Sequence, residues 1–266
     1  MEVTIENQRK IIEIIRSCGA EVRSVQNVES QDGAIAVKPG AANFVTSFDV
    51  KVQNTLISRL AALYPQARFF AEEKDNDGSC FKDAYCFVID PIDGTTNFIH
   101  DMKHSAISVA LYYDAKPLFG AVYDPYMDEM FHASLGGGAF LNGSPIRVSG
   151  RSLDTALVLF GTSPYNRDQY GRETFDRVYN VFMKCADVRR SGSAALDVCY
   201  VAGGRVDAYF EDILSPWDFA AGLLILTEAG GKITDYTGDF PKTGEKTSVL
   251  CSNKLLHSEM LRLLNK

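Results

Sequence analysis

Apolar residues recur at helical spacing over residues 4 to 26, at Ile5, Ile11, Ile12, Ile15, Cys18 and Val22, which predicts an amphipathic helix. A loop containing Lys38, Pro39 and Gly40 follows. Helical spacing returns from Ser47 through Val50, Leu56, Ile57, Leu60 and Leu63, ending before Pro65. RFFAEE then reads as a short strand running out into two acids, DNDGS as a loop, and AYCFVID as a strand buried on both sides. From Ser105 the pattern changes. AISVALYY, PLFGAVYD and DEMFHAS are strand-like runs separated by turn signals at Asp114 to Pro117 and at Asp124-Pro125. GGGAFLNGSPIRVS adds a glycine turn and another strand, so the region reads as an antiparallel meander.

The second half alternates instead. ALVLF reads as a strand, RETFDRVYNVFMK as a helix, SGSAALDVCYVAGG as a helix and RVDAYFE as a strand. WDFAAGLLILTEAGG is a helix with a glycine C-terminus. KITDY and TSVLCSN are strands, and LLHSEMLRLLNK is a closing helix. Such alternation suggests a layered α/β arrangement. The chain is read as a single domain, 1–266, with an N-terminal α+β half, 1–150, built on an antiparallel sheet, and a C-terminal α/β half, 151–266.

Composition narrows the class. With 266 residues, 46% of them hydrophobic, the chain has ample material for a large core. The net charge of -7 and a pI of about 5.2 argue against general nucleic-acid or anionic-membrane binding. They leave room for a small phosphorylated ligand. No apolar run approaches the length of a membrane span, and the N-terminus lacks the apolar core of a signal peptide. The six cysteines form no CxxC pair, which suits a reduced, cytoplasmic protein with free thiols. Scattered histidines point away from zinc.

Acids recur at element ends: Asp49 at a helix start, Glu72 and Glu73 after a strand, Asp90 with Asp93 after a strand, and Asp218 beside the only tryptophan. Singly, each has an ordinary structural explanation: Asp49, Asp93 and Asp218 as helix-start residues, Glu72 and Glu73 as solvated loop residues. Together they are harder to explain. Loops at strand ends are where α/β folds build sites. Clustered carboxylates without matching basic residues repel one another unless a cation is bound. All-oxygen ligands favour Mg²⁺ or Mn²⁺. The Ile92 carbonyl, between Asp90 and Asp93, can serve as a neutral ligand. Gly94-Thr95-Thr96-Asn97 follows. A helix starting there offers free backbone amides to an anion, and Gly94 lets that anion approach closely. Metal, phosphate cradle and hydroxyl are the parts of metal-assisted phosphate hydrolysis. Thr95 is the candidate to orient a water and Asp49 the candidate to accept its proton. Lys38, in its loop, reads as a solvated charge. The chain has no P-loop, and Asp90 and Asp93 stand three apart with Pro-Ile between them, not two apart as the haloacid dehalogenase type wants.

These residues resemble the inositol monophosphatase family of Mg²⁺-dependent, lithium-sensitive phosphatases. DPIDGTTNFIH at 90–100 and PWDFAAGLLILTEAGG at 216–231 match its two signatures. KPGAANFVTSFDVKVQ, FFAEEK, GGGAFLNGSPIRVS and RRSGSAALDVCYVAGGRVDAYFE extend the likeness over nearly the whole chain. The resemblance implies an alternating α-β-α-β-α layered sandwich, usually dimeric, so a homodimer is expected. It implies two or three Mg²⁺ ions: Glu72, Asp90 and the Ile92 carbonyl on the first, Asp90, Asp93 and Asp218 on the second, with Glu72 sharing a weaker third. Thr95 supported by Asp49 would position the attacking water, and the amides of Gly94 and Thr95 would hold phosphate. Asp93, the Ala194 amide and Glu211 would contact the alcohol. The family turn Gly-Glu-Glu-Ser stands here as Ala71-Glu72-Glu73-Lys74.

Thr96-Asn97-Phe98, and Glu211 seven residues before Asp218, resemble the inositol-phosphate type. A phosphoric monoester hydrolase acting on myo-inositol monophosphate is therefore expected, with a small phosphorylated substrate and neither nucleic-acid nor membrane partner. The alternatives are fructose-1,6-bisphosphatase, histidinol-phosphatase or 3'-phosphoadenosine-phosphatase activity, or a non-catalytic regulatory partner that has kept the fold.

Overall fold

The computed structural model describes residues 3–31, 33–38 and 44–266. Helix α1 (Ile5–Ser24) starts where Thr4 accepts a hydrogen bond from the Asn7 amide, and it buries Ile11, Ile15, Cys18 and Val22. That is the stripe the sequence spacing predicts. Strands β1 (Ile35–Val37) and β2 (Phe44–Thr46) pair antiparallel. This small ladder replaces part of the expected loop, whose Pro39 and Gly40 lie outside the described residues. Helix α2 (Ser47–Leu63) follows at once, its start fixed by a reciprocal capping box between Thr46 and Asp49.

A seven-stranded sheet comes next, its strands lying side by side in chain order. It comprises β3 (Arg68–Ala71), β4 (Tyr85–Asp93), β5 (Ala106–Tyr113), β6 (Lys116–Asp124), β7 (Glu129–Ser134), β8 (Gly138–Leu141) and β9 (Ser144–Pro145). β3 and β4 are parallel and every other pair is antiparallel, as the meander reading expects. Short helix α3 (Thr95–Ile99) follows β4. Successive residues of β4 serve opposite faces: Phe87 and Ile89 pack against α1 and α2, while Cys86 and Val88 pack on the other side.

β4 does not end at Asp90, where its apolar run ends. It continues through Pro91 to Asp93, and its pairing with β5 shifts by one residue between Asp90 and Asp93. That shift is a β-bulge, the one context in which a central strand accommodates a proline that cannot donate to the ladder.

The rest of the chain supplies β10 (Leu157–Phe160), α4 (Arg167–Phe182), β11 (Asp187–Arg189), α5 (Ala194–Ala202), β12 (Ala208–Leu214), α6 (Pro216–Glu228), β13 (Lys232–Thr234), β14 (Thr247–Ser252) and α7 (His257–Leu264). Its five strands run in the order β11-β10-β12-β14-β13. α4 begins at Arg167 rather than near Arg172, because a 3₁₀ turn at Pro164–Asn166 leads directly into it. The edge strand β11 carries Asp187 and Arg189 and shows no apolar run, so the hydrophobic pattern does not reveal it.

Three apolar clusters set the layers. One joins α1 and α2 to the seven-stranded sheet, one surrounds α5 and α6 between the two sheets, and one joins α4 and α7 to the five-stranded sheet. The result is the expected α-β-α-β-α sandwich. α6 occupies its middle and is apolar on nearly every side, as a helix buried all round must be. Its backbone lies directly on the sheet at Gly120, where a Cβ would come within 3.1 Å of the Ala221 Cα and closer to its carbonyl oxygen. Among the described residues, no helix is long and apolar enough to cross a membrane.

Candidate active site

The bulge in β4 decides the geometry of the two acids that end it. Residues three apart on a regular strand point to opposite faces. The extra residue between Asp90 and Asp93 turns both carboxylates toward one cavity. Asp218 joins them from α6, where it occupies the third helical position and accepts from the Ser215 amide at 2.7 Å. One oxygen of each of the three acids lies within 4.8 Å of the others.

Each carboxylate commits one oxygen to the protein. Asp90 Oδ1 accepts from the Ile92 amide at 3.1 Å, and Asp218 Oδ2 accepts from Ser215. Asp93 Oδ2 accepts from the Ser193 hydroxyl and from the Ala195 amide at 2.9 Å. Asp93 therefore does not cap its own helix. Gly94 is the N-cap of α3, and Asp93 caps α5 from across the chain. The second oxygen of each acid receives no hydrogen bond among the described residues. Burial pushes all three pKa values up, Asp93 to about 7, and the neighbouring carboxylates add to the effect. Three closely spaced buried carboxylates, each keeping one oxygen free of protein donors among the described residues, fit a hard divalent cation. A Mg²⁺ or Mn²⁺ ion would find its ligands in Asp90, Asp93 and Asp218.

Thr95 opens α3 beside them. Its Oγ1 lies 3.2 Å from the Ile92 carbonyl oxygen and 3.4 Å from Asp49 Oδ1. Asp49 reaches this point from the start of α2, its other oxygen held by the Thr46 amide at 2.8 Å and by the Thr46 hydroxyl. Burial raises the Asp49 pKa to about 7, although the Thr46 hydroxyl works against it. Gly94 has φ of 88°, and a Cβ there would stand 3.1 Å from the Gly192 carbonyl oxygen and 3.2 Å from that of His104. Only glycine fits both demands.

Glu72 lines the same cavity but lies outside the tight group of three. Here the reading of Lys38 as a solvated charge is corrected. Its ammonium lies 3.0 Å from Glu72 Oε1 and also binds Glu73 Oε1. Burial opposes its charge, but the two glutamates outweigh burial and raise its pKa. The acids after β3 thus do have a basic partner, 34 residues before Glu72 in sequence and delivered by the end of β1. Lys74, by contrast, is exposed and donates to the Phe69 carbonyl. Ala71 is accommodated within β3, its amide bonded to Asn76 Oδ1 at 2.9 Å.

The cavity holds about 340 Å³. Gly94, Thr95, Ala194 and Glu211 line it together with Glu72, Asp90, Asp93 and Asp218, so the structure gathers residues from both sheets and the middle layer. Ala194 is the first residue of α5, beside the amide that Asp93 caps. Sequence reasoning missed Ser193, Tyr165, Arg190 and Lys246, which also line the cavity. The Ser193-Ala194 pair opening a helix was a capping signal that pointed here. Tyr165 sits in the 3₁₀ turn before α4 and Lys246 in a loop, neither with a local signature.

A family model described as the inositol monophosphatase family matches residues 1–266. The Nus factor SuhB of Escherichia coli K12 is 42% identical over 214 residues, covering 80% of this chain and 79% of that protein. An inositol-1-monophosphatase of Rhizobium meliloti is 36% identical over 256 residues, covering 94% and 91%. Among solved structures, the Thermotoga maritima IMPase superposes with a TM-score of 0.88 at 30% identity, covering 98% of this chain and 97% of that one. The match over every residue, on a fold that agrees with it, makes this chain a member of the inositol monophosphatase family.

Proposed function

We propose that this protein is a divalent-metal-dependent phosphoric monoester hydrolase whose substrate is myo-inositol monophosphate. The observation that carries the reading is the convergence of Asp90, Asp93 and Asp218 on one cavity, each with an oxygen that no protein donor satisfies, beside the Thr95–Asp49 pair. Family membership supports metal dependence. Mg²⁺, in two or three copies, is the cation, with Glu72 and the Ile92 carbonyl as further ligands. A cation held there would supply Lewis-acid stabilisation of the charge on phosphate and on the attacking oxygen.

The chain's own residues do the rest. The Gly94 and Thr95 amides bind phosphate oxygens, and the Thr95 hydroxyl orients a water. Asp49, 3.4 Å from that hydroxyl, takes up the proton. Asp93 and the Ala194 amide orient the alcohol. The test is a panel of phosphate monoesters with Mg²⁺: inositol phosphates, fructose 1,6-bisphosphate, histidinol phosphate and 3'-phosphoadenosine 5'-phosphate. Fastest release from inositol 1-phosphate supports the substrate. Fastest release from another member replaces the substrate and keeps the reaction. Release from none removes the enzyme reading.

A second reading has its own observation. Relatives at 42% identity carry the name Nus factor SuhB. A regulatory role of that kind is compatible with catalysis on the same fold, and under it the expectation of no nucleic-acid partner does not stand.

A further inference from the structure

Two of the cysteines meet beside the seven-stranded sheet. The short 3₁₀ turn Gly78–Phe81 carries Cys80, and β4 carries Cys86. Three anchors hold that turn over this part of β4. Arg68 is the register partner of Cys86 on β3, and its Nη1 donates to the Ser79 and Lys82 carbonyls at 2.8 and 3.2 Å. The Ala115 amide donates to the Phe81 carbonyl at 3.1 Å. The Phe81 ring packs on Phe70 at 5.3 Å and on Tyr112 at 5.7 Å, and Tyr112 is the register partner of Cys86 on β5. Cys80 and Cys86 therefore enter the same apolar cluster, and their thiols hydrogen-bond to each other. The Phe87 carbonyl oxygen, the other acceptor for the Cys86 thiol, is 3.8 Å away. A bond donated by Cys86 favours the thiolate of Cys80, so the Cys80 pKa lies below the ordinary thiol value although burial opposes it. The other five cysteines lie above that value: Cys86 through its bond to Cys80 and then burial, and Cys18, Cys185, Cys199 and Cys251 through burial. The thiolate is the form that reacts with oxidants. Cys80 is itself buried, but it is one residue from the exposed Ser79 and two from the exposed Lys82, so a small oxidant has a short way in.

We propose that Cys80 and Cys86 are an oxidisable dithiol, a modification site that takes a small hydroperoxide, with Cys80 as the attacking and Cys86 as the resolving residue. The Cys80 thiolate attacks one oxygen of hydrogen peroxide. An S–O bond forms, the O–O bond breaks, and the departing hydroxide takes up a proton and leaves as water, so Cys80 becomes a sulfenic acid. The Cys86 sulfur then gives up its proton and attacks the Cys80 sulfur. The S–S bond forms, the S–O bond breaks, and a second water leaves. Two thiols are oxidised, one peroxide is reduced, and the site stands whether or not the hydrolase reading does. The test uses the folded full chain with Mg²⁺, treated with hydrogen peroxide, alkylated to block every remaining thiol, and digested with trypsin. Lys82 separates the two cysteines, so the disulfide is read by mass as peptide 75–82 joined to peptide 83–103, lighter than their sum by two hydrogens and parted by a reductant. Cys80→Ser is expected to lose the joined peptide and leave Cys86 open to alkylation. Cys86→Ser is expected to leave Cys80 as a sulfenic acid that dimedone traps. The wild-type peptide map decides the matter alone if a variant does not fold. Full alkylation of both thiols in wild type, at a peroxide dose that oxidises free cysteine completely, overturns the inference. So does a disulfide that joins either residue to another cysteine in place of this pair. Dimedone on Cys86 in Cys80→Ser, with none on Cys80 in Cys86→Ser, overturns the assignment of the attacking thiol.

Discussion

Asp93 has two duties that a single substitution separates. One oxygen caps α5 through Ser193 and Ala195, the other has no donor among the described residues, and the carboxylate lies in the close group with Asp90 and Asp218. Asn at this position keeps an acceptor for the cap and removes one of three mutually repelling charges. Asp93→Asn is expected to lower phosphate release by at least about a hundredfold, the scale of losing a preorganised electrostatic contact. Its melting temperature in EDTA is expected to equal or exceed that of the wild type, as calorimetry would show. A variant that melts well below wild type while turning over normally would make Asp93 a structural cap alone. The acids of this site were legible because an apolar run that stops at a carboxylate is a local pattern. The Lys38 contact was not, because the 34 residues between it and Glu72 leave no trace in either segment. The hydrogen bond from the Ser163 amide to Glu211 was hidden likewise, since Ser163 is 48 residues before it.

At the level of elements, one close fit holds the site in register and a second ties the closing helix to its sheet. α6 carries Asp218, and it can reach Asp90 only because Gly120 of β6 lets its backbone lie on the sheet. Gly120→Ala would drive a Cβ into the Ala221 backbone, and overpacking of this kind costs about 1–3 kcal/mol. Reduced stability in urea together with reduced turnover is expected; a fully active, equally stable variant would show that α6 shifts freely. The second fit ties α7 to its sheet. His257 is buried, its Nδ1 2.7 Å from Ser252 Oγ and its Nε2 2.9 Å from Thr234 Oγ1. Burial lowers its pKa to about 4, below the ordinary value of 6.5. The unfolded chain therefore binds the proton first on acidification, so the stability this histidine confers is full above about pH 6.5 and drains as pH falls toward about 4. The melting-temperature gap between wild type and His257→Gln is expected to narrow from pH 7 to pH 4.5. A constant gap would remove His257 from the acid response. The helices and most strands were readable from periodicity, which is a property of one face of one element. Bulges, such as the one that aligns Asp90 with Asp93, depend on the partner strand and are invisible to it.

Over the whole molecule, the alternation of strands and helices announced the layers but not the crossing order β11-β10-β12-β14-β13, which no local pattern encodes. The layers matter because the acidic cluster spans them: Asp90 and Asp93 belong to the seven-stranded sheet and Asp218 to the helix packed between the sheets. A cation there would fasten one layer to the next and offset the burial, and the mutual repulsion, that raise all three pKa values. Because the unfolded chain has no such arrangement, binding adds directly to stability, by about 2.7 kcal/mol at a hundred times Kd. For a chain of this size that is a rise of about 5–10 °C in melting temperature. Scanning calorimetry in EDTA and in excess Mg²⁺ would measure the rise without reference to any substrate, so it tests the metal site apart from the chemistry. Asp218→Asn is expected to remove most of the rise, since it takes the middle layer's ligand away while leaving an acceptor for the Ser215 amide. A rise that persists in full in that variant would detach α6 from the ion and place the cation on the sheet alone.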